Sequence, residues 1–530
     1  MNEDSPLLDW LSREPEWLKR VRLPRSLPSG SVILIVLFSF LLYGLFLTHK
    51  IDLVTADLGR HIENGSILIK DREVLERNYY SYTYPDFPVV NHHWATGLLF
   101  YGVDRMFGLA GVQLLFIALS LLTLGIFLAA GRLYARWDML GFAALVALPL
   151  LAERTEVRPE VFSYLFAGLF FLVLCLWRER RLKMTRLFFA LPLLEIAWVN
   201  THIYFVLGPL IIGAFLLESA LARRSELRSF LGVFCVTLAS TLLNPFGYRA
   251  LTEAVTIFRN YGYTLAENQS VFFMQGLRGG VNLVLFEILF AILVVAVFAA
   301  LVRKRPLHRA HLFVIGGIAV MGSLAVRNLS LFGLFFIPVF AALLEVHGND
   351  RERPLLKKWS AALLGILFAL FMLFGLQRYF PYWRQFGIGL EKGNDRAAEF
   401  LRAVRPPGPM FNNYDIGGYL IYHLYPSVPV FVDNRPEAYP AEFFREVYVP
   451  MQEREEVWQE ALVRYSFQTI VFSYRDGTPW GQTFLRRIID DASWAPVFAD
   501  DKVLVLVRRI PQNQELIGQY ELPRSLFVFR

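Results

Sequence analysis

Apolar runs of nearly membrane-spanning length recur from Ser31 to Leu376, and this repetition constrains the fold more than any other feature of the sequence. A helix needs about 20 mostly apolar residues to cross about 30 Å of hydrocarbon, and its backbone polar groups must be satisfied within the segment itself. By that length test roughly eleven runs qualify or nearly qualify, which predicts a polytopic α-helical membrane protein. Composition agrees: 55% of the 530 residues are hydrophobic, and the mean hydropathy is +0.41.

The formal charge of +7 does not point to nucleic acid, because lysine and arginine gather in short clusters between the apolar runs. Lys19, Arg20, Arg22 and Arg25 precede the first run, so the positive-inside rule puts residues 1–30 in the cytoplasm. Arg132 and Arg136, Arg178 to Arg186, Arg223 to Arg228, Arg303 to Arg309 and Arg351 to Lys358 then fall on the same side. With an odd number of spans, the tail after Leu376 lies outside. The first run, Ser31 to Thr48, lacks a small-residue cleavage site and is expected to stay as an anchor. Cys175 and Cys235 both lie within apolar runs, so the outer parts are expected to hold without disulfides.

Function is expected on three polar regions of the outer face: residues 50–108 and 244–280, which interrupt the membrane domain 31–376, and the tail 377–530. The tail alternates helix and strand patterns. Helices are expected near 395–404, 417–424, 452–465 and 480–490, and strands near 409–412, 428–432, 469–473 and 503–507. That order predicts an extracytoplasmic α/β domain. Its stretch NNYDIGGYLIYHLYPSVPVFVDNR, residues 412–435, combines a Gly-Gly turn, an alternating apolar run and the polar end Asp433-Asn434-Arg435, as a binding loop does.

The first polar region opens on IDLVTADLGRHIENG, where Asp57, Arg60 and His61 fit a short helix capped by Gly65. The i, i+4 spacing puts the Asp57 carboxylate and the His61 imidazole on one face at the membrane exit, although a solvated ion pair is the simpler use of that spacing. The region ends on His92-His93-Trp94. Neighbours on a helix or strand point apart, so one of the two histidines is expected to face any shared site. Two histidines with Asp57 would offer three ligands to a divalent metal ion, in a spacing that matches no closed motif.

Further polar residues stand at outer ends of runs: Arg154 and Arg158 in AERTEVRPE, Asn200 and His202 in WVNTHIY, the element NPFGYR, and Arg327 in VRNLS. Charge at the edge of hydrocarbon lines a cavity or pairs with other charge. The forks of Arg154, Arg158 and Arg327 match phosphate geometry and stay charged. Snorkelling to lipid phosphates is the competing role for Arg158.

Together these features resemble the GT-C superfamily of membrane glycosyltransferases, above all its uncharacterised bacterial members. Their first loop reads Asp-x-x-x-His-x-x-x-Gly, matched by Asp57, His61 and Gly65. Arg158-Pro159, Asn200-Thr201-His202 and Asn244 to Gly247 match the Arg-Pro, Asn-x-His and Asn-Pro-aromatic-Gly elements of that group. The stretch from Tyr414 resembles the Trp-Trp-Asp-Tyr-Gly region of oligosaccharyltransferase catalytic subunits, which holds the acceptor peptide. Here Asn413-Tyr414 replace the two tryptophans and Asp415 keeps the acid.

The resemblance implies transfer of a sugar from a polyprenyl-phosphate donor to an extracytoplasmic glycan, lipid or protein at the bacterial inner membrane. It implies Asp57 as the base, with Asp52 in reserve, and an arginine to stabilise the departing phosphate. His61, His92, His93, Arg154, Arg158, Asn200, His202, Arg327 and Asp415 become substrate-binding candidates. No nucleotide motif appears, in keeping with a lipid donor, and a divalent metal ion stays an open option. A transporter and a non-catalytic scaffold displaying the tail are the rival readings. The first usually shows repeats and midplane charges, and the second leaves the outer histidines and arginines without a task.

Overall fold

The computed structural model describes residues 30–222, 226–256, 261–304, 307–347 and 385–527. The basic group at Lys19 to Arg25, the cluster Arg351 to Lys358 and the last apolar run up to Leu376 lie outside the described residues. Among the described residues five helices are long and apolar enough to cross a membrane: Trp94–Gly131, Glu160–Arg178, Ile203–Leu221, Val281–Val302 and Val326–Leu344. Shorter apolar helices at Ile33–Leu47, Trp137–Leu151, Leu227–Ser240 and Arg309–Leu324 pack with them. Phe189, Leu210, Val295 and Phe298 stay exposed on the outside of this bundle, as suits a surface bathed in lipid tails. Every residue from Asn328 to Leu343 is buried, which puts that helix at the centre.

After the first described helix, Gly30–Leu47, the chain crosses to the tail. Lys50 N–H donates to the Gln385 carbonyl at 2.7 Å, and Ile51 N–H to the Gly389 carbonyl at 2.9 Å. Asp52 accepts from the Asn394 amide at 2.7 Å and pairs with Lys502 at 3.1 Å and Arg475 at 3.2 Å. These contacts commit Asp52 to docking the tail.

The helix Leu58–Asp71 follows, with Asp57 at its N-cap. It runs through Gly65, which the sequence suggested as its cap; the left-handed cap is Arg72 at φ 57°. Gly65 instead permits close packing, since a Cβ there would lie 2.2 Å from the Gly97 carbonyl oxygen. The helix is thereby held directly against Trp94–Gly131, which breaks at Gly108 (φ 65°).

The tail carries a four-stranded sheet of β1 (Met410–Asn412), β2 (Thr469–Ser473), β3 (Trp494–Ala499) and β4 (Val503–Arg508) in the order β1-β2-β4-β3. β1 and β2 are parallel and the other pairs antiparallel. Helices at Arg396–Val404, Gly417–Leu424, Glu455–Tyr465 and Pro479–Asp490 surround it, near the expected positions. Two expectations fail. β3 was not foreseen, because Pro496 interrupts its pattern; the strand tolerates it at the sheet edge, where the register shifts between Pro496 and Phe498. Conversely, residues 428–432 form no ladder strand. Pro429 lacks an N–H, and the Asn412 side chain takes the place of a backbone partner, accepting from Phe431 N–H at 2.8 Å and donating to the Val432 carbonyl at 2.7 Å.

Candidate functional site

Where helix ends of the bundle meet the tail, the chain surrounds one cavity with two adjoining lobes. Asp57, Arg154, Arg158, Glu267, Arg327, Tyr414, Asp415 and Asn434 line the larger, of about 570 Å³. The smaller, of about 110 Å³, adds Arg60, His61, His92, His93 and His202 and shares Asp57, Arg158, Glu267, Arg327 and Asn434. Every candidate residue named from the sequence lines one lobe or the other except Asn200 and the reserve base Asp52. The Asn200 amide donates to the Ile196 and Leu243 carbonyls and accepts from the Trp94 indole at 2.9 Å, so it ties helices together.

Asp57 is held from the tail. Its Oδ1 accepts a hydrogen bond from the Asn434 amide, and its Oδ2 faces Arg158 at 3.8 Å. Asn434 in turn accepts from Arg60 Nε at 3.2 Å. The loop that carries Asn434 is fixed by Arg435, which donates twice to Asp433 at 2.7 Å and once to Asn78 at 2.6 Å. Burial raises the Asp57 carboxyl above its ordinary range, while Arg158 and then Arg60 pull it back toward ionisation. His61, one turn on, lies in the smaller lobe with its Nδ1 buried and unpartnered.

Three arginines surround one carboxylate, Arg154 and Arg158 from the loop before the helix Glu160–Arg178 and Arg327 from the turn Val326–Asn328. Glu267 lies 2.8 Å from Arg154, 3.1 Å from Arg158 and 3.5 Å from Arg327. Arg154 and Arg327 also share Glu160, at 3.5 and 3.1 Å, and Arg158 meets Glu156 at 2.9 Å. Burial works against the Glu267 charge, but the guanidiniums outweigh it and hold this carboxyl far below its usual range. Arg327 lies over the Tyr204 ring at 5.5 Å, which fixes its plane.

Four imidazoles form the floor of the smaller lobe. Ring centroids are 5.0 Å apart for His61 and His93, 4.0 Å for His92 and His93, and 5.1 Å for His93 and His202. Both His92 and His93 line the lobe, contrary to the expectation that one would turn away, because they sit in the turn before Trp94 where neither helical nor strand alternation applies. Burial is the main cause that lowers all four: His92 to about 4, and His61, His93 and His202 well below the usual imidazole range. The rings are therefore neutral around pH 7 and offer hydrogen bonds rather than charge. His92 Nδ1–H donates to the Val90 carbonyl at 3.0 Å, which leaves Nε2 as an acceptor. Among the described residues no group of three His, Cys, Asp or Glu side chains is arranged to hold a metal ion. Asp57 meets Asn434 and Arg158 instead.

Asp415 and Tyr414 form the tail-side wall of the larger lobe. Burial pushes the Asp415 carboxyl up to about 7, with the charges of Asp476 and Asp57 acting the same way. Tyr263, from the second outer region, stacks on Tyr414 at 4.3 Å. Sequence reasoning missed Glu267 and Glu160, and it named Arg60 and Asn434 without giving either a role in the site. The signals were present: three outer arginines need counter-charges, and Asn434 stands in the polar end of the stretch that looked like a binding loop. A buried carboxylate beside clustered guanidiniums can take a proton on one side while charge that develops on a phosphate is stabilised on the other.

No protein-family model and no curated protein matches the chain. Among solved structures it is similar to the oligosaccharyltransferase AglB of Archaeoglobus fulgidus in complex with an inhibitory peptide and a dolichol-phosphate. The TM-score is 0.58 at 11% identity over 91% of this chain and 75% of that one. It is also similar to ArnT of Cupriavidus metallidurans bound to undecaprenyl phosphate, with TM-score 0.53 at 16% identity over 94% of this chain and 100% of that one. Both are GT-C glycosyltransferases.

Proposed function

We propose that this chain, whose fold is that of the GT-C membrane glycosyltransferases, moves a sugar from a polyprenyl-phosphate-linked donor to an acceptor outside the bacterial inner membrane. The observation that carries this reading is that the Asp57 carboxylate and the guanidiniums of Arg154, Arg158 and Arg327 line one cavity where helix ends meet the tail. The lipid phosphates bound by the two structural neighbours support the donor class. The acceptor attacks the sugar C1, the bond from C1 to the phosphate oxygen breaks, and the phosphate leaves with the electron pair. Asp57 takes the acceptor proton, with its carboxylate oriented by Asn434. The arginines stabilise the charge that collects on the phosphate. The neutral imidazoles of His61, His92, His93 and His202 bind sugar hydroxyls, and Tyr414 and Asp415 hold the acceptor from the tail side. The tail is extracytoplasmic in this reading, and the acceptor is a glycan, lipid or protein.

Binding of undecaprenyl phosphate to the protein in phosphatidylcholine nanodiscs tests the donor class. Arg327→Gln should weaken binding by about tenfold or more, since it strands the anions that the arginine neutralises. Parental affinity in both Arg327→Gln and Arg158→Gln would refute a lipid-phosphate donor in this cavity.

A further inference from the structure

Glu267 is the common partner of three partly buried arginines, and it belongs to a short loop turn rather than to a membrane helix. It sits in the single turn Ala266–Asn268. That turn is tied to its surroundings by the Asn268 side chain, which accepts from Arg327 at 2.9 Å, and by the Gln269 carbonyl, which accepts from Val326 N–H at 3.0 Å. Apart from Glu267, the three guanidiniums meet three further acids: Glu160, shared by Arg154 and Arg327, and Glu156 and Asp57 beside Arg158. The trio therefore holds no spare positive charge while Glu267 is in place, and a phosphate added beside it would bring unneutralised negative charge next to these acids. Hydrogen-bonding capacity remains nonetheless. Arg327 Nε is buried without a hydrogen bond, and Arg154 Nη2 faces Glu160 at 3.5 Å without making one, so the planar carboxylates do not use all that the trio offers.

We propose that Glu267 is a resident anion, which holds the arginine trio together in the absence of donor and yields its place to the phosphate of the donor. The inference rests on the donor class proposed above and narrows it. Exchange of one carboxylate for one phosphodiester leaves the charge of the cavity unchanged. A sugar joined to the lipid through a single phosphate fits that exchange. A diphosphate link brings a second negative charge, and among the described residues no second carboxylate is shared by all three arginines.

The test measures binding of the methyl phosphodiester of undecaprenyl phosphate, which carries the single charge of the donor link, and of undecaprenyl diphosphate to nanodisc-embedded protein that elutes as a single species. Glu267→Gln keeps the shape of the side chain and removes its charge, so it should bind the phosphodiester at least about tenfold more tightly than the parent. Glu267→Asp, charged but shorter, should fall between the two. The parent should prefer the phosphodiester, and that preference should narrow in Glu267→Gln. Amide hydrogen exchange across residues 261–270 should rise when lipid is added to the parent, and should already be high in lipid-free Glu267→Gln. If binding depends on Arg327 but is unchanged or weaker in both Glu267 variants, the resident-anion inference is overturned and the donor class stands. If no lipid phosphate binds to the parent or to any variant, both fall together.

Discussion

Replacing Arg158 with glutamine should move the acid limb of the pH–rate profile upward by about one pH unit. Asp57 and Arg158 stand 3.8 Å apart, and at an effective dielectric constant near 20 that separation corresponds to about 4 kcal/mol. The two side chains keep 27% and 20% of their surface exposed, and the guanidinium is shared with Glu156 and Glu267. Screening and sharing reduce the effective coupling to about 1.4 kcal/mol, which is one pKa unit. The sign follows from the role of each group. Asp57 acts as a base in its ionised form, and Arg158 favours that form and lowers its pKa. Without Arg158 the pKa rises, so the activity gained on deprotonation appears at higher pH. Glu156 and Glu267, no longer neutralised, push in the same direction. Initial rates of transfer from a polyprenyl-phosphate donor across pH provide the assay, with Arg158→Lys, which keeps the charge, as the comparison. Weaker phosphate binding lowers the amplitude of the profile but does not move its limb. An acid limb at the parental pH in an Arg158→Gln variant with measurable turnover would refute the coupling of Asp57 to Arg158.

Asn434→Ala removes the amide that orients Asp57 while sparing the three arginines; kcat should fall by about ten- to a hundredfold with the donor KM nearly constant, and a rise in KM with unchanged kcat would contradict a positioning role. Gly65→Ala should destabilise the protein by about 2 kcal/mol through overpacking against Gly97, read as a lower Tm in detergent. Gly102→Ala, whose Cβ would meet nothing within 4 Å, should leave Tm in place. A C-terminal alkaline phosphatase fusion should be active and a C-terminal fluorescent fusion dark; the reverse pattern would place the tail in the cytoplasm.

The features legible in the sequence were those carried by local pattern. Runs of apolar residues announced the helices, and arginines at run ends announced the cavity wall, because charge at the hydrocarbon edge has few places to go. Asp57 and the histidines were legible from position alone. Glu267 was not, because its three partners lie at Arg154, Arg158 and Arg327, far away in the chain and unrelated to it by any spacing. Asn434 was recognised as part of a binding loop without its target, since the contact with Asp57 joins the tail to the first outer region. Asn200 was read as a ligand contact and proved to be a packing tie to Trp94. The segment 428–432 has the alternation of a strand, yet the Asn412 side chain meets its backbone. His92 and His93 defied alternation because a turn, not a helix or strand, carries them.

The assignment of Asp57 as the base is tested most directly by purified Asp57→Asn protein, assayed for undecaprenyl-phosphate binding and for sugar transfer from a polyprenyl-phosphate donor. Asp52→Asn serves as the control, because Asp52 is taken up by Arg475, Lys502 and Asn394. Asp57→Asn should bind the lipid at least as well as the parent and transfer sugar roughly 10²–10⁴ times more slowly, with Asp52→Asn much less affected. Transfer by Asp57→Asn at the parental rate would contradict the assignment.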